Sequence, residues 1–434
     1  MSLYQIIVGV VMLVVFMALV LSKKVSVLNS LILVPIVFGL IAGFGTDTFK
    51  FAVLGMLDVG PTVAMLAFAI LYFGIMLCVG LFDPLAGIVL KFMKGDPLRV
   101  ILGTALLSAL VSLDGDGTTT VMICGTALIP VYTRLKIDKV WLAIFIIGPN
   151  GIINLLPWGG PTARLLAVMP QVDSGELLVR LLPLMLAGLI SVFLIAAYVG
   201  LQERKKLGIQ DINIEAAKAE LTEEELSMRR PKYIWFNLGL TLVVLLAIIA
   251  VGIPGPLVFA IGSAIALLVN YHNLKKEQKV IVHNAEGIII VVVMIFGAGI
   301  LMGMLSQSGL ADAMATGMIS IIPASWGKYF TFIVAVFGGP AVWILNNDAF
   351  YFGMVPVLAE TARAYGFSDM QIALSTLLGQ NLRGFSPVIA SLYFLCSYVK
   401  IEFSDFQKKM IPICFILFAV YLIAGFFMGV YTLP

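Results

Sequence analysis

Runs of about 20 apolar residues, the length needed to cross the hydrocarbon core of a bilayer, recur along this chain near 4–22, 25–44, 60–82, 140–169, 180–201, 232–252, 255–271, 286–308, 370–398 and 410–431. Such repetition admits one class of fold, an all-α polytopic membrane protein with about ten transmembrane helices, because only helices satisfy every backbone polar group within a single segment in lipid. The composition agrees, with 61% hydrophobic and only 12% charged residues. The first run reads as a retained span, not a signal peptide, since Met1 to Tyr4 carry no positive charge while Lys23 and Lys24 follow the run.

Orientation follows from the basic residues, which are retained on the cytoplasmic side of short loops. Lys23/Lys24, Lys91/Lys94/Arg99, Arg134/Lys136/Lys139, the Arg204 to Lys232 loop, Lys275/Lys276/Lys279 and Lys400/Lys408/Lys409 fall on one side if both termini are outside. Lys50, Arg180, Lys328 and Arg363 fall on the other. The net charge of +3 is thus a signal of topology, and nothing in it points to nucleic acid. Cys78, Cys124, Cys396 and Cys414 lie in apolar segments without metal-site or disulfide spacing and read as packing residues. His272 and His283 flank the polar stretch Asn273 to Lys279 and read as solvated loop residues.

The polar segment 202–231, with its acidic run Glu223-Glu224-Glu225, reads as a cytoplasmic linker or surface helix between a first membrane repeat, 1–201, and a second, 232–434. Five spans precede it, so the second half enters from the opposite side, the condition for an inverted-topology repeat. Gly80-Leu81-Phe82-Asp83 recurs as Gly309-Leu310-Ala311-Asp312, and Gly148-Pro149-Asn150 as Gly379-Gln380-Asn381. Between these markers each half holds two short apolar arms around a polar turn, in hairpins near 98–133 and 329–362. Arms of that length rise only about 22–24 Å as helices, so the expectation is a pair of re-entrant hairpins whose tips stop near mid-membrane.

The tips carry charge. Asp114 and Asp116 sit in the first and Asp348, beside Asn346 and Asn347, in the second. Two breaks complete the set: 150–162, rich in Gly and Pro, precedes Arg164, and 381–387 contains Arg383. Ionisable groups are expensive at membrane depth and mark ion or substrate handling. The sequence therefore predicts that two tips and two breaks converge on one site, with both arginines unpaired and able to grip an anion. Candidate substrate-binding residues are Thr118, Thr119, Asn150, Asn154, Gly159, Gly160, Thr162, Arg164, Asn346, Asn347, Asn381, Arg383 and Ser386. Asp114 and Asp116, two close carboxylates that repel unless a cation or proton joins them, are the candidate metal ligands, and Asp348 the candidate proton carrier. Trp158 either lines this site or packs. An EF-hand reading of Asp114-Gly115-Asp116-Gly117 fails because position twelve is Gly125, and residues 113–116 lack the Gly-x-Gly-Asp of intramembrane aspartyl proteases, so the chain reads as no enzyme.

Leu113 to Thr120, Asn154 to Arg164, Asn346-Asn347-Asp348 and Gly379 to Pro387 resemble the signature stretches of the citrate-metal:proton symporter family (CitMHS) in the ion transporter superfamily, with the match extending from Leu31 to the last span. The resemblance implies proton-coupled uptake of citrate complexed with a divalent cation of the magnesium or calcium type, across the plasma or inner membrane. By analogy within the superfamily it also implies a homodimer working by an elevator motion. Sodium-coupled dicarboxylate relatives carry Ser-Asn-Thr tips, absent here, which argues against sodium. The competing reading is a transporter of free di- or tricarboxylate or another organic anion coupled to protons or sodium, which metal-dependent uptake would separate.

Overall fold

The computed structural model describes residues 3–209, 223–322 and 324–433. All regular structure in them is helical. Seven helices among the described residues are long and apolar enough to cross a membrane: Tyr4–Ser22, Gly60–Val79, Pro97–Asp114, Ser174–Leu207, Pro231–Ile249, Leu274–Gln307 and Phe403–Phe427. Val27–Ile41, Lys139–Ile153, Gly255–Asn270 and Phe330–Ile344 are apolar but shorter.

The order of elements repeats. In the first half, helices Gly60–Val79 and Asp83–Met93 lead into a helix–turn–helix hairpin, then helix Lys139–Ile153, a break, helix Gly160–Val168 and the long helix Ser174–Leu207. In the second, Leu274–Gln307 and Leu310–Ile321 lead into another hairpin, then Asp369–Leu377, the 3-10 segment Leu378–Phe385, helix Ala390–Val399 and the long helix Phe403–Phe427. The recurring Gly-Leu motifs sit at matching junctions: Gly80 ends one helix at φ +84° and Gly309 starts another at φ +74°, backbone that glycine adopts without steric cost. Asp83 and Asp312 lie in the first turns of the helices that follow, and Asp83 pairs with Arg229 Nε at 3.1 Å.

Several sequence expectations shift. Helix Asp47–Asp58 is an element that no apolar run announced, because Asp47, Lys50 and Asp58 interrupt its hydropathy. It packs on helix Leu274–Gln307 at an approach set by glycine: a Cβ on Gly55 would overlap the Gly299 carbonyl oxygen and lie 2.5 Å from Gly303 N. The polar stretch Asn273 to Lys279 is not a loop. Asn273 caps helix Leu274–Gln307, its side chain accepting from Lys275 N at 2.9 Å, and His283 is therefore an exposed helical residue. Helix Ser174–Leu207 covers the first residues of the 202–231 segment, where Arg204 pairs with Asp96 at 3.5 Å, and 210–222 of that segment lie outside the described residues. Finally, the first arm of the first hairpin is longer than expected. Asp96 caps it by accepting from Leu98 N at 3.1 Å, and it continues as a 3-10 turn, Ser112–Asp114, giving 18 residues in all; a 3-10 turn also rises about 2 Å per residue.

Helices divide by packing into two groups. Gly60–Val79, Gly255–Asn270, Val27–Ile41, Asp47–Asp58 and Leu274–Gln307 pack on one another. The first hairpin packs with Lys139–Ile153 and Ser174–Leu207, the latter against Phe403–Phe427, which also packs on the 3-10 segment Leu378–Phe385 beside the second hairpin. Helix Gly160–Val168 touches both groups. All four cysteines are buried and form no disulfide among the described residues.

Candidate functional site

The first tip is built by its own turn. Asp114 Oδ1 accepts from Asp116 N at 2.9 Å, and Gly115 turns the chain at φ +79°. Asp116 then caps helix Gly117–Leu135: its Oδ2 accepts from Thr119 N at 2.7 Å and from Thr119 Oγ1 at 2.6 Å. Both bonds fall on one oxygen, so Oδ1 takes neither. Behind the tip, Asn150 Nδ2 donates to Ser112 Oγ at 3.0 Å, and Ser112 and Thr120 share a hydroxyl contact of 3.2 Å. The tip is thereby tied to the helix that ends in the first break.

The first break is closed by side chains standing in for helix bonds. Asn154 Oδ1 accepts from Gly160 N at 2.6 Å, and Thr162 Oγ1 donates to Leu155 O at 2.7 Å. A Cβ on Gly159 would overlap the Asn154 carbonyl oxygen, so only glycine fits there. In the second half, Asn346 Oδ1 accepts from Ala349 N at 2.8 Å and Ser386 Oγ donates to Trp343 O at 2.6 Å, fixing the second break to the hairpin arm. A π-helical turn, Ala349–Met354, follows the second tip, and its Tyr351 hydroxyl accepts from Gln380 Nε2 at 2.7 Å.

Three of the four predicted elements meet at a cavity of about 220 Å³, lined by Gly115, Asp116, Gly117 and Thr118 of the first tip, Asn150, Asn154, Gly160 and Pro161 of the first break, and Gln380, Asn381 and Arg383 of the second. Met410 and Leu417 supply part of its apolar wall. Its wall carries charge of both signs. Helices Gly117–Leu135 and Gly160–Val168 begin at its wall, with the positive ends of their dipoles there. Arg383 forms no ion pair among the described residues, while Asp116 supplies one carboxylate.

The second tip does not line this cavity. Asp348 Oδ1 lies 2.5 Å from Arg164 Nε, with only 15% and 23% of the two side chains exposed, and Arg164 Nη1 donates to Gly160 O at 2.9 Å. The expectation of two unpaired arginines in unwound chain is therefore corrected: Arg164 is helical and paired, one turn from the cavity wall, because Gly160 and Pro161 restart the helix immediately after the break. Arg383 lies in the 3-10 segment, within electrostatic reach of Arg164 and Asp348. Asp114 is buried behind the tip and is not a lining residue. Thr119, Gly159, Thr162 and Ser386 also stand off the cavity, their groups committed to the backbone and tip bonds above. Asn346 caps its turn, and Asn347 is buried with Oδ1 lacking a hydrogen-bond partner among the described residues. No group of three His, Cys, Asp or Glu side chains that would hold a metal occurs among the described residues. Gln380 was missed by residue-type reasoning, although it stood inside the repeated Gly379-Gln380-Asn381 marker.

Comparison with known proteins agrees in kind. The citrate transporter family profile matches residues 5–379. A citrate transporter of Bacillus subtilis (strain 168) is 44% identical over 402 residues, 93% of each chain. A Mg(2+)/citrate complex secondary transporter of the same organism is 40% identical over 404 residues, again 93% of each. Among solved structures, the Alcanivorax borkumensis YdaH transporter matches with a TM-score of 0.55 at 13% identity, covering 98% of both chains. Neisseria gonorrhoeae MtrF, from a class of antimetabolite efflux pumps, matches with a TM-score of 0.59 at 12% identity, covering 100% of this chain and 97% of its own. These two share the fold.

Proposed function

Because the chain belongs to the citrate transporter family, a family of transporters and not of enzymes, we propose that it is a secondary transporter taking up citrate as a complex with a divalent cation of the magnesium type, coupled to protons. The observation that carries this reading is Arg383, a guanidinium that forms no ion pair among the described residues, sharing one cavity with the carboxylate of Asp116. Fully ionised citrate with one divalent cation bears a single net negative charge. Its outer carboxylate oxygens suit the planar fork of Arg383, and the hard cation suits a carboxylate oxygen such as Asp116 Oδ1. Among the described residues Asp116 is the one acid lining the cavity, which suits a metal carried as cargo with citrate supplying most of its ligands. The relative described as a Mg(2+)/citrate complex transporter supports the same substrate.

Proton coupling is assigned to the Arg164–Asp348 pair. While Asp348 is ionised it occupies Arg164; protonation removes the charge that holds the guanidinium, freeing it to face the substrate anion at the adjacent cavity wall. Proton and anion then arrive together. The two packing groups support an elevator in which the hairpin-bearing group moves against the other, in an inverted repeat with re-entrant tips, both termini outside, as a homodimer in the cell membrane.

The test is uptake of labelled citrate into proteoliposomes with the divalent cation varied one at a time. Uptake that follows the cation and is lost on chelation is expected. Strong uptake of citrate under chelation overturns the metal complex and leaves a carrier of free tricarboxylate.

A further inference from the structure

Trp158 occupies a position the transport reading leaves unused. It sits in the first break, 5% exposed, and its indole Nε1 donates to Leu113 O at 2.9 Å. Leu113 belongs to the 3-10 turn that ends in Asp114, so this bond joins the break directly to the base of the tip. The tip lies against the same residue: a Cβ on Gly115 would stand 3.1 Å from Trp158 O and 3.2 Å from its Cδ1. The ring faces the other way. It stacks on Phe73 with centroids 5.7 Å apart and planes at 27°, and meets Phe259 edge-on at 5.0 Å and 79°. Phe73 and Phe259 are buried residues of helices Gly60–Val79 and Gly255–Asn270, which belong to the packing group without the hairpins.

We infer that Trp158 is a positioning residue with two separable roles: its N–H fixes the shape of the first tip, and its ring is the aromatic contact between the cavity-bearing helices and the opposing group. A buried indole N–H keeps its partner because leaving both polar groups unpaired is costly. The carbonyl of Leu113 is therefore held wherever the ring is held, and the oxygens of Asp116 with it. Offset aromatic contacts, by contrast, are weakly directional and are exchanged one for another. When the two groups move relative to each other, the N–H bond travels intact, since both its partners are on the cavity-bearing side, while the contacts with Phe73 and Phe259 must break. The inference rests on the transporter reading, and it adds that tip geometry and the rate of the conformational step are governed from opposite sides of one side chain.

The experiment separates the two. Trp158→Phe keeps an aromatic ring and removes the N–H; KM for uptake is expected to rise about tenfold with maximal rate within twofold of wild type. Phe73→Leu and Phe259→Leu keep the N–H and remove ring contacts; maximal rate is expected to change at least threefold with KM within twofold. Uptake is run with magnesium-citrate and with chelated citrate in parallel, so that wild-type preference reports on the substrate while the KM-to-rate split reports on Trp158 for whichever form is carried. KM and rate moving together in both classes, or in neither, overturns the inference. Should Trp158→Phe not fold, unchanged rates in both phenylalanine variants overturn it alone.

Discussion

Arg164 Nε and Asp348 Oδ1 are 2.5 Å apart although 184 residues separate them in sequence. The contact ties the helix that restarts after the first break to the tip of the second hairpin, and it joins the two halves of the chain beside the cavity. Removing one partner of a buried pair leaves a charge uncompensated. Asp348→Asn is therefore expected to retain binding of metal-citrate and to lose acceleration by an inward proton gradient, measured as uptake with and without an imposed gradient. Thermal stability in detergent should fall in Asp348→Asn and recover in the double variant Arg164→Gln/Asp348→Asn, while coupling stays lost. A full gradient response in Asp348→Asn moves the proton site to the first hairpin.

Unequal placement of the arginines predicts unequal effects. Arg383 lines the cavity and Arg164 does not. Lysine retains the charge but loses the two-pronged geometry, a loss on the scale of a charge-assisted hydrogen bond, about 1.5 kcal/mol, or roughly tenfold in Kd. Arg383→Lys should weaken metal-citrate binding by about that factor in calorimetry, and Arg164→Lys should weaken it less. Equal affinities in Arg383→Lys and wild type would falsify the role of Arg383 as the direct anion partner.

Asp116 holds a cap and a carboxylate at once, and the two are separable because asparagine caps helices about as well as aspartate. Asp116→Asn should fold with wild-type stability, since an amide oxygen still accepts from Thr119 N. Its citrate uptake should depend less steeply on divalent cation. Cation curves that superimpose on wild type assign the metal contact elsewhere.

The approach of helix Asp47–Asp58 to helix Leu274–Gln307 leaves no room at Gly55. Overpacking of this kind costs typically about 1–3 kcal/mol, and here the obstacle is backbone that does not swing aside. Gly55→Ala should lower the melting temperature in detergent, whereas Gly60→Ala, which meets no atom within 4 Å, should not. Equal melting temperatures in the two variants show that the helices are free to separate.

Much of this protein was written in the order of its residues. Hydropathy announced the spans, because lipid demands apolar segments of fixed length whatever packs around them, and the Gly-Leu motifs with their positive-φ glycines marked the duplicated junctions. Gly159, Gly160 and Pro161 foretold a break, and the breaks and the first tip do line one cavity. Hydropathy could not reveal helix Asp47–Asp58 or the helical start of Leu274–Gln307, since polar residues on an exposed helical face look like a loop in a window average. Nor could it say which arginine faces the cavity. Arg164 and Arg383 are alike as residues beside Gly- and Pro-rich breaks, and the difference between them is a partner 184 residues away. Sequence spacing carries local geometry, but the pairing of Arg164 with Asp348 exists only once the two halves are packed, so the tertiary structure alone decides which guanidinium is paired and which lines the cavity with no ion pair among the described residues.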